Sequence, residues 1–259
     1  MASPGLLLTQ TAGDVLLLLV LWTVYRRLGP FPPPLEPARR PGREMFEVLL
    51  LYAISFILSV IFWVWGLPDV PIMTGVSLNL RFFVIMILTV ILEFGVHRRS
   101  PRDLGLVGFA KTGVRVGLFL ILFTIMWGAL RFFLVLSTEP TGPLLFLYWL
   151  LTPAFFEEWE FRAVYQTKLE RVIGQERAWI ASGVMFGLFH IPTDFFGYFW
   201  EMGGYDPVFS VLALGLQLLF GFVLGIVFAK TRSIWPVVAS HFLFDFFSAV
   251  LRWFFLVML

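Results

Sequence analysis

The chain alternates between long apolar stretches and short segments that carry most of its charges. The apolar stretches lie near residues 6–25, 46–66, 77–95, 114–136, 144–166, 178–199, 207–229 and 235–259. A bilayer core about 30 Å thick is crossed by about 20 apolar residues in a helix. The pattern therefore predicts an all-α fold, a polytopic membrane helix bundle with about eight transmembrane helices.

The first stretch is the weakest, because Asp14 interrupts it. It lacks the basic start of a signal peptide, so we interpret it as a retained span. The prolines of "LGPFPPPLEPARRPG" follow it and exclude a helix interior. We therefore divide the chain into an N-terminal transmembrane helix at 1–27, a Pro-rich cytoplasmic linker at 28–43, transmembrane helices two to four at 44–142, and a core of helices five to eight at 143–259.

Composition supports a membrane protein and removes several kinds of chemistry. Hydrophobic residues make up 59% of the chain and charged residues 14%, whereas soluble domains average about a quarter charged. The chain has no cysteine. Disulfides, thiolate metal ligands and a cysteine nucleophile are therefore excluded.

The basic residues orient the predicted bundle. Sixteen of the nineteen Lys and Arg lie on alternate connections, which by the positive-inside rule face the cytoplasm. They are spread over four short loops without a dense stripe, so we expect membrane lipid and no nucleic acid as partner. The other three, Arg81, Arg131 and Arg252, lie near predicted outer helix ends, where we expect them to snorkel.

The segment "FFEEWEFRAVYQ", residues 155–166, brings three glutamates into the fifth apolar stretch. Counting back from Lys168, where we expect the helix to reach the cytoplasmic surface, Glu158 lies about 15 Å deep. A charge at such depth costs on the order of 3 kcal/mol and indicates a functional site. Alternatively the helix ends near Phe156, and the acids lie among lipid headgroups.

Two histidines lie at similar predicted depth on other helices. His190 is about 20 Å from the surface marked by Arg177, and His241 is about 14 Å from that marked by Arg232. Each could simply be a packed or helix-bridging group, but two beside a glutamate pair favour a shared site. His97 adjoins further basic residues at a helix end, so we expect a surface role for it.

Local spacing assigns roles to the polar residues. Glu158 and Arg162 are four apart, which favours an ion pair on one helix face. Glu157 is then turned away by about 100°. His241 and Asp245 are also four apart, so both can line one cavity.

The helix that carries His190 has further features. Phe186 precedes His190 by one turn and could wall its ring, although packing alone would also explain an aromatic there. Gly183 and Gly187 form a small face that lets another helix approach closely and carries His190 towards the acids.

Such a group of residues can hydrolyse a peptide bond. Glu157 and His190 could hold and deprotonate a water molecule, and His241 could donate to the oxyanion. Alternatively Glu157, His190 and His241 form a zinc ligand set with an open water position. A proton-coupled transporter with a Glu and His relay is a further alternative, although the chain shows no inverted repeat.

The motifs Glu157-Glu158-xxx-Arg162, Phe186-xxx-His190 and His241-xxx-Asp245 together resemble those of the CPBP family, the CAAX proteases and bacteriocin-processing (Abi) proteins. The resemblance covers about 105 residues from the fifth span onward. It implies an intramembrane endopeptidase related to type II CAAX prenyl endopeptidases, acting as a glutamate protease without a metal cofactor.

In that family the position of Glu157 matches the catalytic glutamate, His190 its water-activating partner and His241 an oxyanion-binding group. Asp245 falls where the prenyl endopeptidases carry asparagine, and this departure weakens the expectation of a prenylated substrate. Prenylated proteins, bacteriocin leaders, pheromone precursors and membrane-bound regulators are all compatible with the resemblance, as is a non-catalytic immunity or peptide-binding protein.

Other intramembrane protease classes fit less well. The sequence contains no His-Glu-xx-His for a site-2 metalloprotease and no Gly-x-Gly-Asp for an aspartyl protease. Ser182 and Ser240 lack a glycine-flanked nucleophile elbow. A glutamate-dependent hydrolysis is therefore the favoured mechanism.

Overall fold

The computed structural model describes residues 4–65, 70–73, 76–78, 80–108, 110–134, 142–197 and 206–258. In these ranges the predicted helix bundle is confirmed, with one short antiparallel hairpin added between the second and third helices. The elements are α1 (Pro4–Arg27), α2 (Pro41–Trp65), β1 (Val70–Met73), β2 (Val76–Leu78), α3 (Leu80–Val90) with a π-helical continuation (Ile91–Val96), α4 (Val114–Leu134), α5 (from Pro143 to Ile173), α6 (Gln175–Phe189), α7 (Pro207–Thr231) and α8 (Trp235–Met258).

Five helices in the described part of the chain are long and apolar enough to cross a membrane, namely α1, α2, α4, α7 and α8. The other three predicted spans, at 77–95, 144–166 and 178–199, fall on helices that include or adjoin π-helical turns. A total of eight crossings therefore stays a prediction. Some residues of the predicted spans, namely 66, 79, 135–136, 198–199 and 259, lie outside the described residues.

Small residues allow α6 and α7 to pack closely. A side chain at Gly183 would collide with Phe222, and one at Gly187 would collide with Leu218. From the opposite side, a Cβ at Gly221 would lie 2.8 Å from the Gly183 carbonyl oxygen. Glycine permits such an approach because it has no side chain. Apolar helices in lipid gain their attraction from such close contact. The helix that approaches the predicted glycine face is α7, while the glutamates lie on α5.

Lys230 fastens the end of α1 to α7. Its Nζ donates hydrogen bonds to the carbonyl oxygens of Val24 at 2.7 Å and Gly29 at 2.6 Å. The last carbonyls of a helix have no partner within the helix, so a buried ammonium group can satisfy them. The first helix is thereby joined to the core of the bundle.

The proline-rich linker predicted at 28–43 contains no helix before α2 begins at Pro41. It is not a free surface segment, because Glu170 of α5 accepts a hydrogen bond from Leu35 N at 2.9 Å and binds Arg232 at 2.5 Å. Arg232 in turn donates to the Pro33 carbonyl at 3.0 Å. The linker is therefore anchored on the surface formed by α5 and the α7–α8 connection.

A network of buried charges joins α2, the π-helical continuation of α3, and α5; we call it the charge network. Lys168 lies at its centre with a fully buried side chain, 2.7 Å from Glu47 and 2.9 Å from Glu93. Lys168 was expected where the helix reaches the cytoplasmic surface; its side chain is buried inside the bundle, and its depth in the membrane stays a prediction. Its charge is neutralised by two glutamates that are distant in the sequence.

The remaining members of the charge network complete these contacts. His97 Nε2 lies 2.8 Å from Glu47 Oε2 with only 17% of its side chain exposed, so a purely surface role for His97 was also wrong. Arg99 binds Glu44 at 2.8 Å and Glu93 at 3.2 Å. The full network comprises Arg43, Glu44, Glu47, Glu93, His97, Arg99, Lys168 and Arg171.

Candidate active site

Helix α5 changes its winding around the glutamates. A π-helical segment, Leu150–Phe155, precedes the turn Phe156–Glu158, and a second, Trp159–Gln166, follows it. Pro153 lies in the first of these segments and has no N–H for the regular helix ladder. Such π-turns occur often at functional sites, because they rotate the side chains out of the α-helical register.

Side-chain hydrogen bonds fix the rotation of α5 against three neighbours. Trp159 Nε1 donates to Thr89 of α3 at 2.8 Å, Arg162 donates to Ser182 of α6 at 3.0 Å, and Gln166 donates to the Gly225 carbonyl of α7 at 2.8 Å. All three α5 residues are buried. The direction in which Glu157 and Glu158 point is therefore set by tertiary contacts.

Glu157 faces both predicted histidines. Its Oε2 atom lies 3.7 Å from His190 Nε2 and 3.9 Å from His241 Nε2. These distances exceed the 2.7–3.2 Å of a direct hydrogen bond. The three side chains thus surround a common point without direct hydrogen bonds between Glu157 and either histidine. They come from α5, the end of α6 and α8.

His190 is held in one tautomer by its own helix. Its Nδ1 lies 2.8 Å from the Phe186 carbonyl oxygen, which can only accept a hydrogen bond, so Nδ1 carries the proton. In a neutral ring Nε2 is then an acceptor and faces Glu157. The Phe186 ring lies beside the imidazole, with ring centroids 4.6 Å apart.

His241 is held between two carboxylates. Its Nδ1 lies 2.8 Å from Glu158 Oε1, and its Nε2 lies 3.2 Å from Asp245 Oδ2. An ionised carboxylate only accepts hydrogen bonds, so a ring that donates to both carries a proton on each nitrogen. This arrangement presents an N–H donor on the side of His241 that faces Glu157.

Glu158 and Arg162 form the ion pair that their spacing predicts. Arg162 Nε lies 3.0 Å from Glu158 Oε2, and neither side chain has any exposed surface. The guanidinium also lies 4.8 Å from the centre of the Phe186 ring. Two adjacent glutamates therefore differ in environment: Glu158 is clamped between Arg162 and His241, whereas Glu157 has only longer contacts.

Glu160 is the third glutamate of the segment, and its described contacts include neither histidine. It is buried and accepts a hydrogen bond from the Tyr165 hydroxyl at 2.8 Å. This pairing satisfies a polar group inside the helix bundle. We assign Glu160 to the support of α5.

Sequence reasoning missed Arg81 as a site residue. Arg81 is 8% exposed, and its Nη2 lies 3.5 Å from Glu157 Oε1, so the expectation that it snorkels to the outer surface was wrong. Its guanidinium lies 4.0 Å from the centre of the Phe82 ring and 4.3 Å from that of Phe189. Cation–aromatic contacts stabilise a guanidinium away from water. In the sequence, the two phenylalanines that follow Arg81 in "LRFF" were the available sign that its guanidinium packs against aromatic rings.

A cavity of about 470 Å³ opens beside Glu157. Half of its lining residues are Phe, Trp or Tyr, and several of the others are polar, which is a composition typical of a ligand site. Lining residues come from α2, α3, α5, the end of α6 with the segment that follows it, and α8. They are Ser59, Phe62, Trp63, Arg81, Phe82, Tyr148, Trp149, Thr152, Pro153, Glu157, Phe189, His190, Thr193 and Phe246.

The donor geometry bears on the zinc alternative. Within the described ranges, no cluster of three or more His, Asp and Glu side chains has the arrangement of a metal site. The ring nitrogens of His241 both face carboxylates, Glu158 on one side and Asp245 on the other. Binding of a metal by His241 would therefore displace one of these partners.

Part of the chain matches a known protein family. Residues 138–247 match the family model described as "Rce1-like: Type II CAAX prenyl endopeptidase Rce1-like". No curated protein and no solved structure matches the chain. The matched region contains Glu157, His190 and His241 together with Asp245. The family supports a CAAX-type protease in an integral, multi-pass membrane protein. Residues 138–247 of the chain are therefore similar to the type II CAAX prenyl endopeptidases.

Proposed function

We propose that this protein is a glutamate-dependent intramembrane endopeptidase that cuts a membrane-associated or lipidated peptide or protein. The observation that carries the proposal is the position of Glu157 Oε2, 3.7 Å from His190 Nε2 and 3.9 Å from His241 Nε2. A water molecule that donates one hydrogen to Glu157 and one to His190 would bridge two acceptors that otherwise repel each other. The adjoining cavity gives a peptide access to that water.

In the proposed reaction, Glu157 takes a proton from the water molecule. At the same time the water oxygen bonds to the carbonyl carbon of the peptide. The carbonyl oxygen becomes an oxyanion, and the Nε2–H of His241, which faces Asp245 before the substrate binds, donates its hydrogen bond to the oxyanion instead. The carbon–nitrogen bond then breaks, and the proton carried by Glu157 passes to the departing amine. The products are a carboxylic acid and an amine, so atoms and charges balance.

The supporting residues keep these groups in place. Glu158 orients His241 through the 2.8 Å contact to Nδ1, and Arg162 holds Glu158. Asp245 faces the other ring nitrogen of His241 and thereby favours its donor form. Phe186 packs against His190 and accepts the hydrogen bond that fixes its tautomer. We propose no metal cofactor, and we propose that the site opens towards the cytoplasmic side.

The test compares membranes of host cells that express the native chain, the Glu157→Gln variant or the Glu176→Gln variant. Glu176 is exposed at the start of α6, so its substitution is a control for the same chemical change. New peptide termini are identified by mass spectrometry. We expect them with the native chain and with Glu176→Gln, and a loss of about 10²-fold or more with Glu157→Gln, the scale of general base catalysis.

Other outcomes separate the alternatives. Unchanged cleavage by Glu157→Gln would remove Glu157 as the base. Cleavage that stops with a chelator and returns with zinc would favour the metal mechanism. Proton-coupled uptake into proteoliposomes without any cleavage would indicate a transporter, and peptide binding without cleavage would indicate a non-catalytic relative.

A further inference from the structure

We propose that Ser182 is a positioning residue, which holds His241 in the orientation that faces Glu157. The inference rests on the proposed function, because it concerns the group that would bind the oxyanion. The three motifs do not include Ser182, and Ser182 is not among the residues that line the cavity. It therefore acts on the site through other side chains.

The hydroxyl of Ser182 has a fixed direction. Its Oγ donates a hydrogen bond to the Phe161 carbonyl oxygen at 2.9 Å and lies 3.0 Å from Arg162 Nη1. A hydroxyl has one hydrogen and two lone pairs, so the bond to Phe161 leaves Ser182 as the acceptor for Arg162. Ser182 is fully buried, which removes competition from bulk water for both bonds.

The hydrogen bond from Arg162 to Ser182 sets the plane of the guanidinium. Arg162 Nε lies 3.0 Å from Glu158 Oε2, but this ion pair lacks the alignment of a hydrogen bond. Attraction between charges depends on distance, whereas a hydrogen bond also weakens steeply when its angle departs from linear. The guanidinium is planar and rigid, so a directed bond at Nη1 also fixes the position of Nε. Ser182 thereby determines where Arg162 presents its charge to Glu158.

Glu158 transmits this orientation to His241. One carboxylate oxygen, Oε2, faces Arg162, and the other, Oε1, lies 2.8 Å from His241 Nδ1. The series Ser182–Arg162–Glu158–His241, which we call the positioning series, crosses from α6 through α5 to α8. Its four side chains belong to residues that are at most 3% exposed. A buried polar network of this kind stays rigid only when each member keeps its partner.

Ser182 also lies on the helix face that carries His190. Ser182, Phe186 and His190 follow one another at intervals of four residues, so they lie along one side of α6. The Phe186 carbonyl fixes the His190 ring, and Ser182 binds Arg162 from the same side. One face of α6 therefore places His190 directly and His241 through the positioning series.

The test removes the hydroxyl and follows His241 directly by nuclear magnetic resonance. The full chain in lipid nanodiscs carries ¹⁵N-labelled histidine, and the spectrum of His241→Gln identifies the signals of His241 among the three histidines. The measured quantity is the rate at which its Nδ1 proton exchanges with water. The variants are Ser182→Ala and Ser182→Cys, whose thiol keeps the shape of the side chain but forms weak hydrogen bonds. The control Ser210→Ala removes another buried hydroxyl, which donates to the Asp194 carbonyl oxygen at the same distance of 2.9 Å.

We expect the Nδ1 proton of His241 to exchange about tenfold faster in Ser182→Ala, because the loss of one hydrogen bond lets the buried contact with Glu158 open more often. Ser182→Cys should show a smaller acceleration, and Ser210→Ala should show none. An unchanged exchange rate in the Ser182 variants would overturn the proposal, as would an equal acceleration in Ser210→Ala. Ser182→Cys decides this point even if Ser182→Ala fails to fold.

Cleavage gives a second readout, measured with a fluorogenic peptide that spans a cleavage site found in the comparison of host membranes. We expect Ser182→Ala to lower kcat about tenfold and to leave KM within about twofold, because Ser182 does not line the cavity. With Glu158→Gln already present, the further loss should be less than about twofold, since the positioning series is then interrupted at Glu158. A full additional loss in that variant would contradict the proposed route. If the native chain cuts no peptide, the proposed function fails, whereas proton exchange at His241 still decides the role of Ser182.

Discussion

Two clusters of buried charge lie in this protein, and they differ in how closely their members approach. In the charge network, Lys168 lies 2.7 Å from Glu47 and 2.9 Å from Glu93. In the candidate active site, Glu157 lies 3.5 Å from Arg81, and its distances to the two histidines are longer still. Both clusters use Glu, His, Lys or Arg from several helices. The closer contacts leave no room for a further molecule, whereas the longer ones surround a point beside a cavity.

The same contrast separates two adjacent residues of α5. Glu158 has a 2.8 Å contact with His241 and a 3.0 Å contact with Arg162. Glu157 lines the cavity and has no described ionic contact that short. Buried charge by itself therefore does not identify a reactive group. The reactive candidate is Glu157, because its partners are close enough to stabilise the carboxylate but do not form short hydrogen bonds with it.

The largest effect is expected from breaking the charge network at its centre. Lys168→Met removes the cation between Glu47 and Glu93 and leaves two buried carboxylates short of a partner. Loss of one member of a buried ionic group costs about 3–5 kcal/mol. We expect a marked fall in the unfolding temperature in nanodiscs, with cleavage per folded molecule retained. The control Arg177→Met removes an exposed cation and should leave the unfolding temperature unchanged.

A second change tests the division of labour between the two glutamates. Glu158→Gln removes the carboxylate that holds His241 and Arg162 but leaves Glu157 in place. A hydrogen bond to a charged group contributes about 1.5–3 kcal/mol, so we expect the cleavage rate to fall by about 10- to 150-fold. Cleavage is measured in parallel with Glu157→Gln. A larger loss in Glu158→Gln than in Glu157→Gln would reverse the roles given to the two residues.

The smallest effect is expected at Asp245. Its side chain is 35% exposed, so solvent screens its contact with His241. Asp245→Asn retains an oxygen that can accept from His241, and we expect the cleavage rate to stay within about tenfold of the native value. The pH dependence of cleavage should change more than the maximal rate, because a neutral group replaces a carboxylate beside His241. An unchanged pH profile together with a large loss of rate would contradict this assignment.

The sequence predicted much of the helical framework. The spans expected at 6–25, 46–66 and 207–229 correspond to α1 at Pro4–Arg27, α2 at Pro41–Trp65 and α7 at Pro207–Thr231. This agreement has a simple cause: a helix in lipid satisfies its backbone hydrogen bonds internally, so a long apolar run is sufficient to predict it. The hairpin of β1 and β2 and the π-helical turns of α5 were missed, because each depends on local contacts and not on apolar periodicity.

The charged residues mark the limit of that reasoning. The positions of Lys168, His97 and Arg81 suggested surface groups, since each lies near a predicted helix end. The structure buries Lys168 and Arg81 and encloses most of His97, because carboxylates on other helices face them. Pairing between residues 50 or more positions apart leaves no trace in local spacing. The depth estimate for Glu158 used Lys168 as its reference, and that depth stays a prediction.

By itself, the sequence determined the membrane class, the helix positions and the three motifs that contain Glu157, His190 and His241. It also determined the ion pair of Glu158 and Arg162, because both residues lie four apart on one helix. Tertiary structure alone decided which glutamate faces the histidines, which arginine joins them and where the cavity lies. The physical reason is that these features depend on the rotation of α5, which π-helical turns and hydrogen bonds to three other helices fix.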